Sequence, residues 1–171
     1  MKLAGVVFLG ALLTGCQNLP SDTPRASATL QPSKGAKTSG TADFYEVGNK
    51  VRVVANVSGL TPGREHGFHV HEAGDCSSGD GMSAKGHFNP QGKPHGDPRG
   101  SERHAGDMPM LRADASGNAK LETDLDLIPV APGPASVVGR GLIVHADPDD
   151  YKTQPTGNAG ARLACAVIQR R

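Results

Sequence analysis

Six of the seven histidines in this 171-residue chain fall where their spacing could build a metal site. The first stretch is Arg64-Glu65-His66-Gly67-Phe68-His69-Val70-His71-Glu72. It reads as a β-strand, whose side chains alternate between two faces. His66, Phe68 and Val70 share one face, and His69 and His71 share the other. A strand that buries Phe68 and Val70 presents His69 and His71 away from the core, with converging rings. His66, on the core parity, reads as a buried histidine that bonds to backbone and braces the site. His145 lies on the outward parity of a later strand, near Gly139 and Gly141, which leave room for an approaching group.

His87, His95, His104 and Asp107 lie between these strands in a long polar stretch. Three imidazoles and a carboxylate form a tetrahedral zinc set with no position left for water. His69, His71 and His145 form an all-imidazole set, which suits copper and needs a fourth ring. Both sets lay claim to His87 unless its two nitrogens serve one each.

The elements that must carry these residues are short strands. Alternation is clearest at 50–57, with Val51, Val53, Ala55 and Val57 on one face. It returns at 118–127, with Leu121, Thr123, Leu125 and Leu127 inward. Further strands are expected at 26–31, 38–47, 64–72, 137–146 and 163–169. About eight strands, 23 glycines, 13 prolines and no required long helix predict an all-β Greek-key barrel or sandwich, immunoglobulin-like, with two long functional loops. The loops are 73–108 and 147–161. The first is too polar to order itself by apolar burial, so composition alone argues for disorder, but His87, His95 and His104 point to a loop that a metal orders.

The formal net charge of +1 excludes an overall basic surface of the kind nucleic acid requires. Lys2 precedes the apolar run Leu3 to Leu13, a signal-peptide pattern too short to remain as a membrane span. Leu13-Thr14-Gly15-Cys16 looks like a bacterial lipobox. Residues 1–15 are therefore expected to be removed, with lipid on Cys16, a tether over 16–25 and a domain over 26–171. This places the domain on the periplasmic side of the envelope. Gln17, by analogy with enteric sorting, favours the outer membrane over the inner. Of three cysteines, Cys76 and Cys165 then remain as an even pair in an oxidising compartment. They are expected to form a disulfide. Closing a loop of about 90 residues contributes roughly 4–5 kcal/mol in the chain-entropy picture. Two thiols acting as metal ligands are the alternative.

The segments Gly67-Phe68-His69-Val70-His71-Glu72, Gly86-His87-Phe88-Asn89-Pro90, His95-Gly96-Asp97-Pro98, Glu102-Arg103-His104-Ala105-Gly106-Asp107 and Gly157-Asn158-Ala159-Gly160-Ala161-Arg162-Leu163-Ala164-Cys165 together resemble copper,zinc superoxide dismutase, in its bacterial lipoprotein form. The resemblance runs over residues 26–169. It implies one copper per chain on His69, His71, His87 and His145, and one zinc on His87, His95, His104 and Asp107. His87 would bridge the two metals and carry a proton. Asp149 would link a copper-ligand ring to a zinc-ligand ring. Arg162 and Thr156 would line the substrate channel, and Cys76–Cys165 would be the intrasubunit disulfide. The implied reaction converts superoxide to dioxygen and hydrogen peroxide. The loop 147–161 lacks the charged insertion of the animal enzymes, so Lys152 is only a candidate for guiding substrate. A homodimer is possible. The rival reading is a lipoprotein on the same fold that buffers or delivers copper and zinc without turnover.

Overall fold

The computed structural model describes residues 23–171. The expected signal peptide, Cys16 and most of the tether lie outside the described residues. The strands are β1 (Ala26–Pro32), β2 (Ser39–Val47), β3 (Lys50–Ser58), β4 (Glu65–His66), β5 (Phe68–His71), β6 (Leu111–Arg112), β7 (Ala119–Leu125), β8 (Gly141–His145), β9 (Arg162–Val167) and β10 (Gln169–Arg170). The main sheet runs β5-β8-β9-β1-β2-β3-β7, with β10 beside β1, and β4 pairs with β6. All pairings are antiparallel. Among the described residues the single helical element is a 3-10 turn, Met82–Ala84, and no helix is long and apolar enough to cross a membrane.

The core follows from the period-2 pattern. Val51, Val53, Ala55 and Val57 of β3 are buried, and Lys50, Asn56 and Ser58 are exposed. One cluster unites these valines with Leu30 of β1, Phe44 of β2, Phe68 and Val70 of β5, Leu125 of β7, Leu142 of β8 and Ala164 of β9. A sheet whose end strands and middle strands share one core must curl around it. The fold is thus all-β, as the sequence predicts.

Two strand expectations need correction. The histidine strand is two strands, broken at Gly67. There the chain leaves β6 for β8: the Gly67 N–H donates to Asp147 O (2.9 Å) and its carbonyl accepts from His145 N (2.8 Å). A side chain at 67 would meet Ala159 Cβ at 2.9 Å, so the break needs glycine. The expected strand 137–146 starts only at Gly141, because Val137–Arg140 forms a turn with Gly139 at φ 81°.

The polar loop 73–108 is not left to itself. It crosses the free edge of β5 twice. Phe88 N donates to Val70 O (2.8 Å), Val70 N to Gly106 O (2.9 Å) and Gly106 N to Phe88 O (2.9 Å). Isolated bridges set His71 opposite His87 and His69 opposite Asp107. Cys76 and Cys165 form the expected disulfide, with Cα atoms 5.9 Å apart. It ties the start of this loop to β9.

Candidate metal centre

β5 places its histidines where alternation predicts, but not in solvent. The two loops cover that face, and His69 and His71 are both fully buried. His87 comes from the loop crossing, and His145 from the end of β8. The ligand atoms of His69, His71, His87 and His145 lie within 4.8 Å of one another, as do those of His87, His95, His104 and Asp107. His87 belongs to both groups. The competition for it that the sequence leaves open is therefore resolved by sharing.

Hydrogen bonds choose which nitrogen of each ring faces inward, as neighbours of metal-ligand histidines usually do. His69 Nε2 donates to Asp149 Oδ2 (2.6 Å), and His71 Nδ1 donates to the Lys85 carbonyl (2.8 Å). His145 Nδ1 faces the Gly160 carbonyl at 3.4 Å. The nitrogens left are His69 Nδ1, His71 Nε2 and His145 Nε2, the last two 3.3 Å apart. In the second group Asp107 Oδ1 lies 2.8 Å from His87 Nδ1, 3.0 Å from His95 Nδ1 and 3.4 Å from His104 Nδ1. Asp107 Oδ2 instead accepts the backbone N–H groups of His104 (2.8 Å) and Gly96 (3.2 Å).

The remaining ring nitrogens are the test of fit. His69 Nδ1, His87 Nε2, His95 Nδ1 and His104 Nδ1 are buried with no hydrogen-bond partner among protein groups. A buried polar atom without a partner costs about 1–3 kcal/mol. Four such atoms, each aimed into one of the two groups, are what metal coordination would satisfy. The donor sets fit: all imidazole on one side, three imidazoles and a carboxylate on the other.

Asp149 joins the halves. Its Oδ2 accepts from His69, and its Oδ1 accepts from His95 Nε2 (2.9 Å) and Tyr151 N (2.7 Å). Gly157 closes over this link at φ 65°, where a Cβ would fall 1.9 Å from Asp149 Oδ1. Thr156, beside it, is half-buried. His66 is buried and its Nδ1 donates to the His145 carbonyl (2.9 Å), the bracing role read from its parity. Arg162 is half-buried. Its Nη1 donates to Gly81 O and its Nη2 to Lys85 O, both at 2.6 Å.

Protein charges polarise the site. Burial, then repulsion from neighbouring rings, pushes His71 and His145 well below the ordinary imidazole value, and the Arg162 charge adds to both. Burial and His69 lower His87 to about 3 despite Asp107. For His95 burial pulls down, but the adjacent Asp107 and Asp149 carboxylates outweigh it and raise the ring to about 9. Asp107 and Asp149 are held far below the usual carboxylate range: burial opposes this, but their histidine partners win. Both stay ionised, as metal-supporting carboxylates must.

Three contributors carry no sequence signature: the Lys85 and Gly81 carbonyls, and Gln154. The Gln154 side chain accepts from His95 N (2.8 Å) and donates to His95 O (2.9 Å), clasping the second loop to the first. Lys152 is exposed, and its backbone N–H caps Asp150.

A fold and a double histidine site of this kind define a metalloprotein class, and sequence comparison names it. Residues 38–168 match the model of the copper/zinc superoxide dismutase family. The chain is 40% identical over 174 residues to superoxide dismutase [Cu-Zn] 2 of Aquifex aeolicus (strain VF5), covering 98% of this chain and 99% of that protein. It is also 40% identical over 169 residues to superoxide dismutase [Cu-Zn] of Paramecium bursaria Chlorella virus 1, covering 95% and 89%. Among solved structures it resembles a double mutant of a SOD-like protein from Bacillus subtilis (TM-score 0.76, 33% identity, covering 84% of this chain and 96% of that one). It also resembles the clock protein EA4 (TM-score 0.77, 36% identity, 91% and 100%). The chain belongs to the copper/zinc superoxide dismutase family, and its cofactors are copper and zinc.

Proposed function

We propose that this chain dismutes superoxide to dioxygen and hydrogen peroxide, with copper on His69, His71, His87 and His145 and zinc on His87, His95, His104 and Asp107. The observation that carries this assignment is the placement of His87. Its Nδ1 faces Asp107 in one group, and its buried, unpartnered Nε2 faces the other. Copper, if held by His69, His71, His87 and His145, would supply one-electron exchange with superoxide, and His95, His104 and Asp107 would hold zinc beside His87.

The protein's part is to place the small anion and deliver protons. Arg162 is fixed by two carbonyls, so its cation is pre-oriented and its field reaches His71 and His145. It would attract superoxide and donate to it. His87 Nε2 would hold a proton for the peroxide product, while the Asp107 side keeps the ring in place. Asp149 fixes the tautomers of His69 and His95 together. Burial of the rings keeps bulk water from competing for their nitrogens. A buffering or delivery lipoprotein would need the same metal groups but not a clamped arginine beside one of them. A fold alone does not decide between such roles; the site does.

His87→Ala tests the assignment. General acid–base groups contribute about 10²–10⁴-fold. Superoxide consumption should fall by at least about 10²-fold while both metals still bind. Unchanged consumption would remove His87 as proton carrier.

The envelope location is part of the same proposal. Superoxide is charged and crosses bilayers poorly. A chain exported through residues 1–15 and lipidated at Cys16 would meet it outside the cytoplasm, anchored on the periplasmic side and at the outer membrane in preference to the inner. Cys16→Ser should release the protein from membranes into the soluble envelope fraction. Retention on membranes would refute the anchor. Pairing of two copies is checked by light scattering on the chain from residue 17.

A further inference from the structure

The turn Met82–Ala84 is bracketed by two residues of positive φ. Gly81, before it, has φ 77° and ψ 0°, and Lys85, after it, has φ 64° and ψ −149°. The second conformation belongs almost wholly to glycine, so a lysine there is strained. Such strain persists only where the surroundings over-determine it. They do so at Lys85. Its N–H donates to Met82 O (3.0 Å). The residues on either side of it are paired to the end of β5: Ala73 N donates to Ala84 O (3.0 Å) and Glu72 N to Gly86 O (2.9 Å). Its ammonium reaches Glu72 Oε1 at 3.6 Å.

The result is an unusual acceptor. The Lys85 carbonyl receives His71 Nδ1 at 2.8 Å and Arg162 Nη2 at 2.6 Å. A peptide oxygen has two lone pairs, so one atom can serve both donors. The Gly81 carbonyl takes the other prong of the guanidinium, Nη1, at 2.6 Å. The two positive-φ residues thus aim the two end carbonyls of one short turn at one arginine, and one of these carbonyls also holds a ring of the all-imidazole group.

We infer that Lys85 is a positioning residue of the active centre: its backbone, held in a glycine-like conformation, sets the His71 ring and the Arg162 cation with a single carbonyl oxygen. This rests on the reading that His71 holds copper and that Arg162 meets the anion. It goes beyond that reading by making the geometry of the metal ligand and of the substrate-binding cation one variable instead of two. The lysine side chain adds the tie to Glu72, so residue 85 is stapled to both residues of the His71–Glu72 pair.

The test uses the full chain loaded with copper and zinc, with azide as the anion probe. Azide affinity is read from the charge-transfer band, and ligand geometry from the copper electron paramagnetic resonance spectrum. Lys85→Gly can keep the backbone conformation, so affinity should stay within about twofold of wild type and the spectrum should not change. Lys85→Val cannot adopt it. The carbonyl should turn away, azide should bind about tenfold more weakly, and the copper hyperfine coupling should shift. Wild-type behaviour of Lys85→Val, or equal loss in both variants, would overturn the inference.

A second measurement needs no variant at position 85. In the copper(I), zinc protein the His71 Nδ1 proton is observed by imidazole nitrogen–proton NMR. Arg162→Ala removes one of two donors on the shared oxygen, so the remaining bond should tighten and this proton should move downfield. An unmoved resonance would overturn the inference while leaving the copper assignment intact. A wild-type copper spectrum in His71→Ala would overturn the copper assignment itself, and this inference with it.

Discussion

The atoms that matter most are ring nitrogens, and each is fixed by what its opposite nitrogen does. Asp149 determines two of them at once, through His69 Nε2 and His95 Nε2. Asp149→Ala leaves both donors buried and unpaired and frees both rings to turn. Loss of such a supporting group typically costs about 10–100-fold in metal affinity. Competition with a chelator should show both metals weakened; an effect on one metal alone would contradict the link. Arg162→Ala removes the fixed cation and leaves every metal-ligand residue in place. The rate should fall by about tenfold, and its decline with ionic strength should flatten. An unchanged salt profile would take Arg162 out of substrate guidance. The ligands themselves were legible in the sequence because histidine and aspartate announce their chemistry by type. The Lys85 and Gly81 carbonyls were not, since every residue owns a carbonyl and only φ decides where it points.

At the level of elements, the site exists because a polar loop behaves as two added strands. Its crossings at Phe88 and Gly106 pair with Val70, which puts His87 opposite His71 and Asp107 opposite His69. Position 106 tolerates no side chain: a Cβ would lie 2.2 Å from Val70 O and 3.1 Å from Phe88 N. Gly106→Ala should push the second crossing off β5. Expected results are lost zinc binding and a melting temperature lower by about 2–8 °C if roughly 1–2 kcal/mol is lost. Wild-type zinc affinity in that variant would show that the crossing does not position Asp107. Period-2 burial made β2, β3, β7 and the inward faces of β5 and β8 readable. The break at Gly67 and the late start of β8 were not, because both follow from which strand the chain pairs with, a non-local choice. The loop's order was readable only through His87, His95 and His104, which point to ordering by a metal; its backbone pairing to β5 carried no signal. Its composition argues for disorder, and only the backbone pairing to β5 and the ligand groups outweigh that.

For the whole molecule, metal binding and protonation are linked. At neutral pH the protein's own charges hold His95 protonated, with its value raised to about 9, and His87 neutral, with its value lowered to about 3. Zinc coordination requires neutral imidazole, so binding near pH 7.5 should release about one proton per chain, from His95. Calorimetry in buffers of different ionisation enthalpy measures this number, and a value near zero would contradict the His95 assignment. The same shifts set the acid side of metal-free stability. His71, His87 and His145 have depressed values, so the unfolded chain takes up protons there first and stability falls as pH drops below about 6.5. The raised His95 acts oppositely: its contribution is complete below about 6.5 and is lost as pH rises through about 9. Three depressed rings outweigh one raised ring, so melting of the metal-free chain should be lower at pH 5 than at pH 7; the reverse order would contradict the burial of these rings. The central claim, that one chain holds copper and zinc through a shared His87 and consumes superoxide, is tested most directly by measuring metal content and superoxide consumption on the same purified protein. One copper and one zinc per chain, with consumption abolished by removing copper and restored by returning it, is the predicted result. Full occupancy of both metals without superoxide consumption would contradict it.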